Sequence, residues 1–97
     1  MKVSLHPAAY EDLRSAAMYY RDSAGAAICS SFLAEYERSA GILLLHPQLG
    51  SAWCHGKRRL PLRHFPFSII YAVAGDDIRI LAIAHHNRRP GYGRRRA

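Results

Sequence analysis

The chain has 97 residues, of which 49% are hydrophobic, which fits one compact domain and is too short for two. No apolar run approaches the roughly 20 residues of a bilayer-spanning helix, and two cysteines do not make a disulfide framework. We therefore expect a cytoplasmic protein without a membrane segment.

The formal net charge of +7 comes from the second half of the chain. Residues 1–48 contain four basic and five acidic side chains, whereas residues 49–97 contain ten basic and two acidic ones, nine of the ten being arginine. A charge distribution of this kind attracts polyanions or an acidic protein.

The first half predicts a strand followed by a helical hairpin. The segment KVSLH (2–6) alternates like a short strand, and Pro7 suits the first turn of a helix. Helical spacing predicts one helix over about residues 8–22 and a second that ends at His46, because the residue before Pro47 disfavours helix. The expected apolar stripe of the second helix consists of Ile28, Phe32, Tyr36, Ala40 and Leu43.

The second half predicts three strands after a loop, PQLGSAWCHG (47–56). The segment KRRLPLRHF (57–65) places Leu60 and Leu62 on one face and Arg59 and Arg63 on the other, and Pro61 predicts an edge strand. Residues 65–86 predict a hairpin of two buried strands that turns at AGDD. The expected fold class is α+β, with both helices on one face of a mainly antiparallel sheet and the arginines on its other face.

The basic second half also supplies candidate functional residues. Cleavage of RNA through its 2′-hydroxyl needs a base, an acid and positive charge at the phosphate. For such a nuclease the catalytic candidates are His85, His86, Tyr92, Arg63 and Arg79. If the last strand continues through both histidines, His85 and His86 point to opposite faces of the sheet. These residue types are sufficient for a nuclease but do not require one.

A second set of residues is expected to bind a target or a partner protein: Arg58, Arg59, Arg63, Arg79, Arg88, Arg89 and Tyr92. Metal binding is not expected, because Cys54 and His55 are adjacent and no second close pair matches the spacing of a structural zinc site. The sequence likewise contains no glycine-rich phosphate loop, and no cofactor is expected.

Four segments in succession carry a resemblance to a known family: AAYEDLRSAAMYY (8–20), FLAEYERSAGILLLHPQLG (32–50), RRLPLRHFPFSIIYAV (58–73) and DDIRILAIAHHNRRPGYG (76–93). Their order and spacing resemble the RelE/ParE superfamily of bacterial toxins from type II toxin–antitoxin pairs. The resemblance implies one toxin domain over residues 1–97 with a flexible basic tail at 93–97. It also implies a cognate antitoxin that holds the toxin inactive in a hetero-oligomer.

The superfamily divides by target. RelE-like members cleave messenger RNA on the ribosome, whereas ParE-like members are associated with inhibition of DNA gyrase. The long helices and the ending LAIAHHNRRPGYG (81–93) resemble the ParE side, which implies a gyrase inhibitor that arrests growth, stabilises plasmids and has no catalysis of its own. A ribosome-dependent endoribonuclease is the alternative, and a basic nucleic-acid-binding module without toxicity is a weaker one.

Overall fold

Two helices pack on one face of a five-stranded sheet. The computed structural model describes residues 1–86, so the predictions made for Arg88, Arg89, Tyr92 and residues 93–97 lie outside the described part of the chain. In chain order the elements are β1 (Lys2–Leu5), α1 (Pro7–Ala24), α2 (Ala26–Leu45), β2 (Ser51–Ala52), a 3₁₀ turn (Cys54–Gly56), β3 (Arg58–Pro61), β4 (Phe67–Ala74) and β5 (Asp77–His85). The predicted α+β fold class is confirmed.

The two helices form the predicted hairpin because a single residue separates them. His6 caps α1 by accepting the Ala8 N–H at Nδ1 over 3.0 Å, and Pro7 occupies its first turn. Gly25 ends α1 with a φ of +96°, a conformation that favours glycine. The predicted apolar stripe of α2 is wrong at Ile28, which is 41% exposed, and Cys29 packs against the core instead. The other predicted members, Phe32, Tyr36, Ala40 and Leu43, do face the core. In residues 1–86, no helix has the length and apolar character needed to cross a membrane.

The strand order is β1-β5-β4-β3-β2, with β1 parallel to β5 and the other neighbours antiparallel. The predicted loop 47–56 therefore contains a short strand and a 3₁₀ turn, and β3 is not the edge strand. Two residues are too few to show a period, which explains why β2 was not predicted. The missing N–H of Pro61 still costs no hydrogen bond between β3 and β2, because β2 pairs only with Arg58 and Arg59 and does not reach Pro61.

The main core lies between the helices and the sheet. Its centre is an aromatic cluster in which Phe32 of α2 contacts Phe65 and Phe67, with ring centroids 5.3 and 5.5 Å apart, and Tyr20 of α1 lies 5.2 Å from Phe32. The opposite face of the sheet is partly covered too, because Trp53 packs there on a small cluster of buried residues, Ile70, Ala82 and Ala84. The sheet therefore has one fully covered face and one face with a partial apolar cover.

Candidate interaction surfaces

The structure distributes the predicted arginines over both sides of the sheet. Arg59 and Arg79 face away from the helices: Arg59 pairs in register with Ile70, and Arg79 lies between the core residues Ile78 and Ile80. Arg63 lies on the helix side, where it lines a cavity together with residues of α2. The prediction that the arginines share the face opposite the helices is therefore wrong for Arg63, because β3 ends at Pro61 and leaves Arg63 in the following connection.

Arg58 also faces the helix side of the sheet, where its guanidinium makes hydrogen bonds within the domain. It donates to the Gly50 carbonyl oxygen at 2.8 Å and to the Gln48 carbonyl and side-chain oxygens at 3.3 and 3.2 Å. These bonds tie β3 to the connection that follows α2. The expected location of Arg58 on the other face is thus wrong, whereas its role in binding stays a prediction.

Tyr71 anchors the same connection from β4, a role that the sequence did not reveal. Its hydroxyl donates to the Pro47 carbonyl oxygen at 2.8 Å and accepts the Gly50 N–H at 2.9 Å. Burial raises the pKa of Tyr71, opposed by the Gly50 hydrogen bond and by the charge of Arg58. The HPQLG stretch is therefore held by a side chain more than twenty residues further along the chain, which no local pattern could indicate.

On the face opposite the helices, Arg59 lies over Trp53, with its Cζ atom 5.6 Å from the ring centroid. This is within the range of a cation–π contact. The Trp53 Nε1 atom is buried and finds no hydrogen-bond partner among residues 1–86. Arg59 and Trp53 together form an aromatic and cationic patch beside the small apolar cluster.

The two candidate histidines lie on opposite sides of the sheet, although β5 ends at His85 and His86 belongs to the turn that follows. The ring of His85 packs edge-on against Phe67 on the helix side, with centroids 5.0 Å apart. His85 also lines a groove of about 630 Å³ between α1 and the ends of β4 and β5. His86 is on the other side, where its Nε2 atom is 2.9 Å from the Ser68 hydroxyl. The sheet therefore separates His85 from His86.

The nuclease candidates within residues 1–86 are divided between the two sides of the sheet. Arg63 and His85 are on the helix side of the sheet, and Arg79 and His86 are on the other. Arg79 and His86 are seven residues apart along the chain, or about 23 Å of extended strand. Among the described residues, no group of three His, Cys, Asp or Glu side chains could hold a metal ion.

Glu35 of α2 organises the cavity that Arg63 lines, and the sequence did not single it out. Its carboxylate accepts the Arg63 backbone N–H at 2.7 Å, two bonds from the Arg38 guanidinium at 2.8 Å each, and one from the Ser39 hydroxyl at 3.2 Å. The bonds from Arg38 are the main reason why the pKa of Glu35 falls to about 2. We call the surrounding cavity, of about 470 Å³, the Arg63 basin; its lining residues are Ser31, Ala34, Glu35, Arg38, Arg63, His64 and Phe65.

The outer side of the helical hairpin has a further groove, of about 280 Å³, with a mainly apolar lining. Met18 of α1 and Cys29 and Leu33 of α2 contribute to it, and Arg14 and Arg21 also line it. Exposed apolar side chains on one side of a small domain are typical of a protein-binding surface.

Fold and comparisons together define the class of protein. A family model described as "ParE toxin of type II toxin-antitoxin system, parDE" matches residues 3–90. The chain therefore belongs to the ParE toxin family, which confirms the resemblance to the RelE/ParE superfamily and places the chain on its ParE side.

A solved structure titled "Chromosomal ParDE TA system from P. aeruginosa" is similar to this chain, with a TM-score of 0.77 and 24% sequence identity. The match covers 88% of this chain and 95% of that one, so the two share their fold over almost their whole length. No curated protein sequence matches the chain.

Proposed function

We propose that this ParE-family toxin arrests bacterial growth in the cytoplasm by inhibiting DNA gyrase, and that a cognate antitoxin neutralises it. The observation that carries the proposal is the family match over residues 3–90, which includes both helices and all five strands. Gyrase inhibition needs no bond-making by the toxin, and the described residues offer surfaces for protein contacts on both sides of the sheet.

The geometry supports an inhibitor over a nuclease. A ribonuclease needs its base, its acid and its phosphate-binding cations within reach of one scissile bond. His85 and Arg63 lie on the helix side of the sheet, whereas His86 and Arg79 lie on its other side. The histidines therefore cannot act as a pair on one phosphate.

Neutralisation by an antitoxin fits the surfaces that residues 1–86 present. A partner segment that is disordered alone would gain order as it covers the helical hairpin and part of the sheet. Its apolar residues would find the groove beside Met18 and Leu33, and its acidic residues would meet arginines of the second half. Complementary charge of this kind makes association fast and sensitive to salt.

The test uses one preparation of purified wild-type protein in two assays: DNA supercoiling by gyrase, and cleavage of messenger RNA on ribosomes. We expect supercoiling to fall with increasing toxin, messenger RNA to stay intact, and the partner antitoxin to restore supercoiling. Arg88→Ala, Arg89→Ala and Tyr92→Ala together should reduce inhibition. The proposal would be contradicted if the wild-type protein left supercoiling intact and cleaved messenger RNA at codon positions. Loss of that cleavage in His85→Ala or His86→Ala would assign it to the histidines.

A further inference from the structure

The connection between β3 and β4, residues 62–66, is fixed to the helices at two points. The Arg63 N–H donates to Glu35 of α2, and the Phe65 ring packs against Phe32 of α2 and Tyr20 of α1, with centroids 5.3 and 5.2 Å away. Between these points His64 has a φ of +67°, in the left-handed region. The backbone around Arg63 is therefore held in one conformation by contacts on both sides.

The carboxylate of Glu35 is fully used inside the protein. Its side chain is only 11% exposed, and it accepts four hydrogen bonds, which is about the number of lone-pair sites that a carboxylate offers. Its single negative charge cannot balance both Arg38 and Arg63. The Arg63 basin therefore keeps a positive charge that no acidic side chain lining it can cancel.

The side chains of Arg63 and His64 point into this basin without a partner. Within residues 1–86, neither the Arg63 guanidinium nor the His64 ring makes a hydrogen bond or an ion pair. A guanidinium presents a planar fork that matches a carboxylate. Because the backbone of Arg63 is already fixed, little conformational entropy of the chain is lost when an anion binds here.

We propose that Glu35 is a positioning residue, which presents Arg63 to a carboxylate of the antitoxin bound in the Arg63 basin. This inference rests on the proposed pairing with an antitoxin and adds the contact that recognises it. The lining supports an acidic peptide, because Ala34 and the Phe65 ring provide apolar surface beside the arginines.

A nucleic-acid backbone fits the basin less well. It carries a charge about every 3.4 Å per strand and is bound by rows of cations. The basin offers two arginines and one histidine. Of the other candidate arginines within residues 1–86, Arg58 is already bonded to Gln48 and Gly50, and Arg59 and Arg79 lie on the other side of the sheet. No continuous basic track therefore leads from Arg63 to Arg59 or Arg79.

The experiment measures binding of the toxin to the protein encoded by the adjacent reading frame, at low salt and at high salt. Arg63→Ala should weaken binding by about tenfold at low salt, and by less at high salt because salt screens the contact. Lys2→Ala is the control, since it removes one positive charge from an exposed residue of β1 that lines neither the Arg63 basin nor the groove on the helical hairpin. It should change the affinity by no more than about twofold.

A double-mutant cycle tests the positioning role. Glu35→Gln should weaken binding, and the double variant Glu35→Gln with Arg63→Ala should bind no more weakly than Arg63→Ala alone. Additive losses would show that Glu35 only stabilises the fold, and would overturn the role proposed for it. Thermal unfolding of each variant identifies those that are folded; if Glu35→Gln does not fold, Glu35→Asp, which keeps the charge but shortens the side chain, takes its place in the cycle.

The outcomes separate this inference from the proposed function. Absence of binding between the wild-type toxin and the adjacent product would defeat both. Normal binding that Arg63→Ala leaves unchanged at low salt would defeat only the inference. A short single-stranded RNA serves as a second probe, and Arg63-dependent binding of that RNA without a change in antitoxin affinity would assign the basin to nucleic acid instead.

Discussion

The hydroxyl of Tyr71 holds the connection after α2 through two backbone groups at once. It donates to the Pro47 carbonyl oxygen and accepts the N–H of Gly50. Gly50 has to be small for this arrangement, because a Cβ atom there would lie 2.7 Å from the Tyr71 oxygen and 3.0 Å from the Arg59 carbonyl oxygen. The close approach of the Tyr71 hydroxyl to the backbone of Gly50 thus explains why the HPQLG segment ends in glycine.

Substitution of this pair should destabilise the protein. Gly50→Ala forces the tyrosine or the strand to move, at a cost of about 1–3 kcal/mol in the free energy of unfolding. Tyr71→Phe leaves a buried N–H without an acceptor, at a similar cost of about 1–3 kcal/mol. Urea unfolding measures both losses, and the double variant should lose less than their sum because both act on one contact.

The matched control is Gly41→Ala. Gly41 lies inside α2, and a Cβ atom there would meet nothing within 4 Å. Alanine is the better helix former, so this variant should be more stable than the wild type by up to about 1 kcal/mol. A loss of stability in Gly41→Ala, or none in Gly50→Ala, would contradict the assignment of the effect to the Tyr71 contact.

Between elements, the contact of Glu35 with Arg63 and Arg38 fastens the β3–β4 connection to α2. The pKa of Glu35 is lowered from 4.5 to about 2, first by the Arg38 hydrogen bonds. A carboxylate with a lowered pKa stabilises the folded state fully above its unfolded pKa and loses that contribution as the pH falls towards its folded pKa. The stabilising effect of Glu35 is therefore complete above pH 4.5 and declines between pH 4.5 and about 2.

Glu35→Gln should thus be less stable than the wild type at neutral pH, by about 2 kcal/mol, because it loses the charged bonds to Arg38. The difference in the free energy of unfolding should shrink below pH 4.5 as the wild-type carboxyl group becomes protonated. Urea unfolding at neutral pH and at two acidic pH values measures it. The effect of Gly41→Ala involves no titrating group. Its free energy of unfolding should therefore differ from that of the wild type by the same amount at all three pH values.

The elements that the sequence predicts are those with a repeated pattern. Both helices and the β4–β5 hairpin have one, and the alternation of β5 also places His85 on the helix side of the sheet. The location of Arg63 could not be predicted in the same way. It depends on a bond to Glu35 across 28 positions of sequence, and β2 is too short to show any period.

At the scale of the whole domain, the arginines of the second half that lie within residues 1–86 are found on both sides of the sheet. Arg59 and Arg79 lie on one side of the sheet and Arg63 on the other, so an acidic partner that wraps the domain can meet both. The electrostatic field of both surfaces attracts such a partner before the two proteins make contact.

Charge reversal at these positions should slow association with the antitoxin. Arg63→Glu and Arg59→Glu should each lower the association rate at low salt without unfolding the domain, and their effects should combine independently because the residues lie on opposite faces. Stopped-flow measurements at low and high salt provide the test. An association rate that neither substitution changes at low salt would remove the electrostatic part of the recognition.

The parallel pairing of β1 with β5 has a consequence for when the toxin can form during its own synthesis. Val3 lies opposite Ile78, and among the described strands β1 pairs with β5 alone. Contacts between such distant segments form late, because a long loop must close first. A nascent chain emerging from the ribosome therefore has its first strand exposed, without the strand that pairs with it, until residues 77–85 have been translated. The five-stranded sheet of the toxin can close only after β5 has been synthesised.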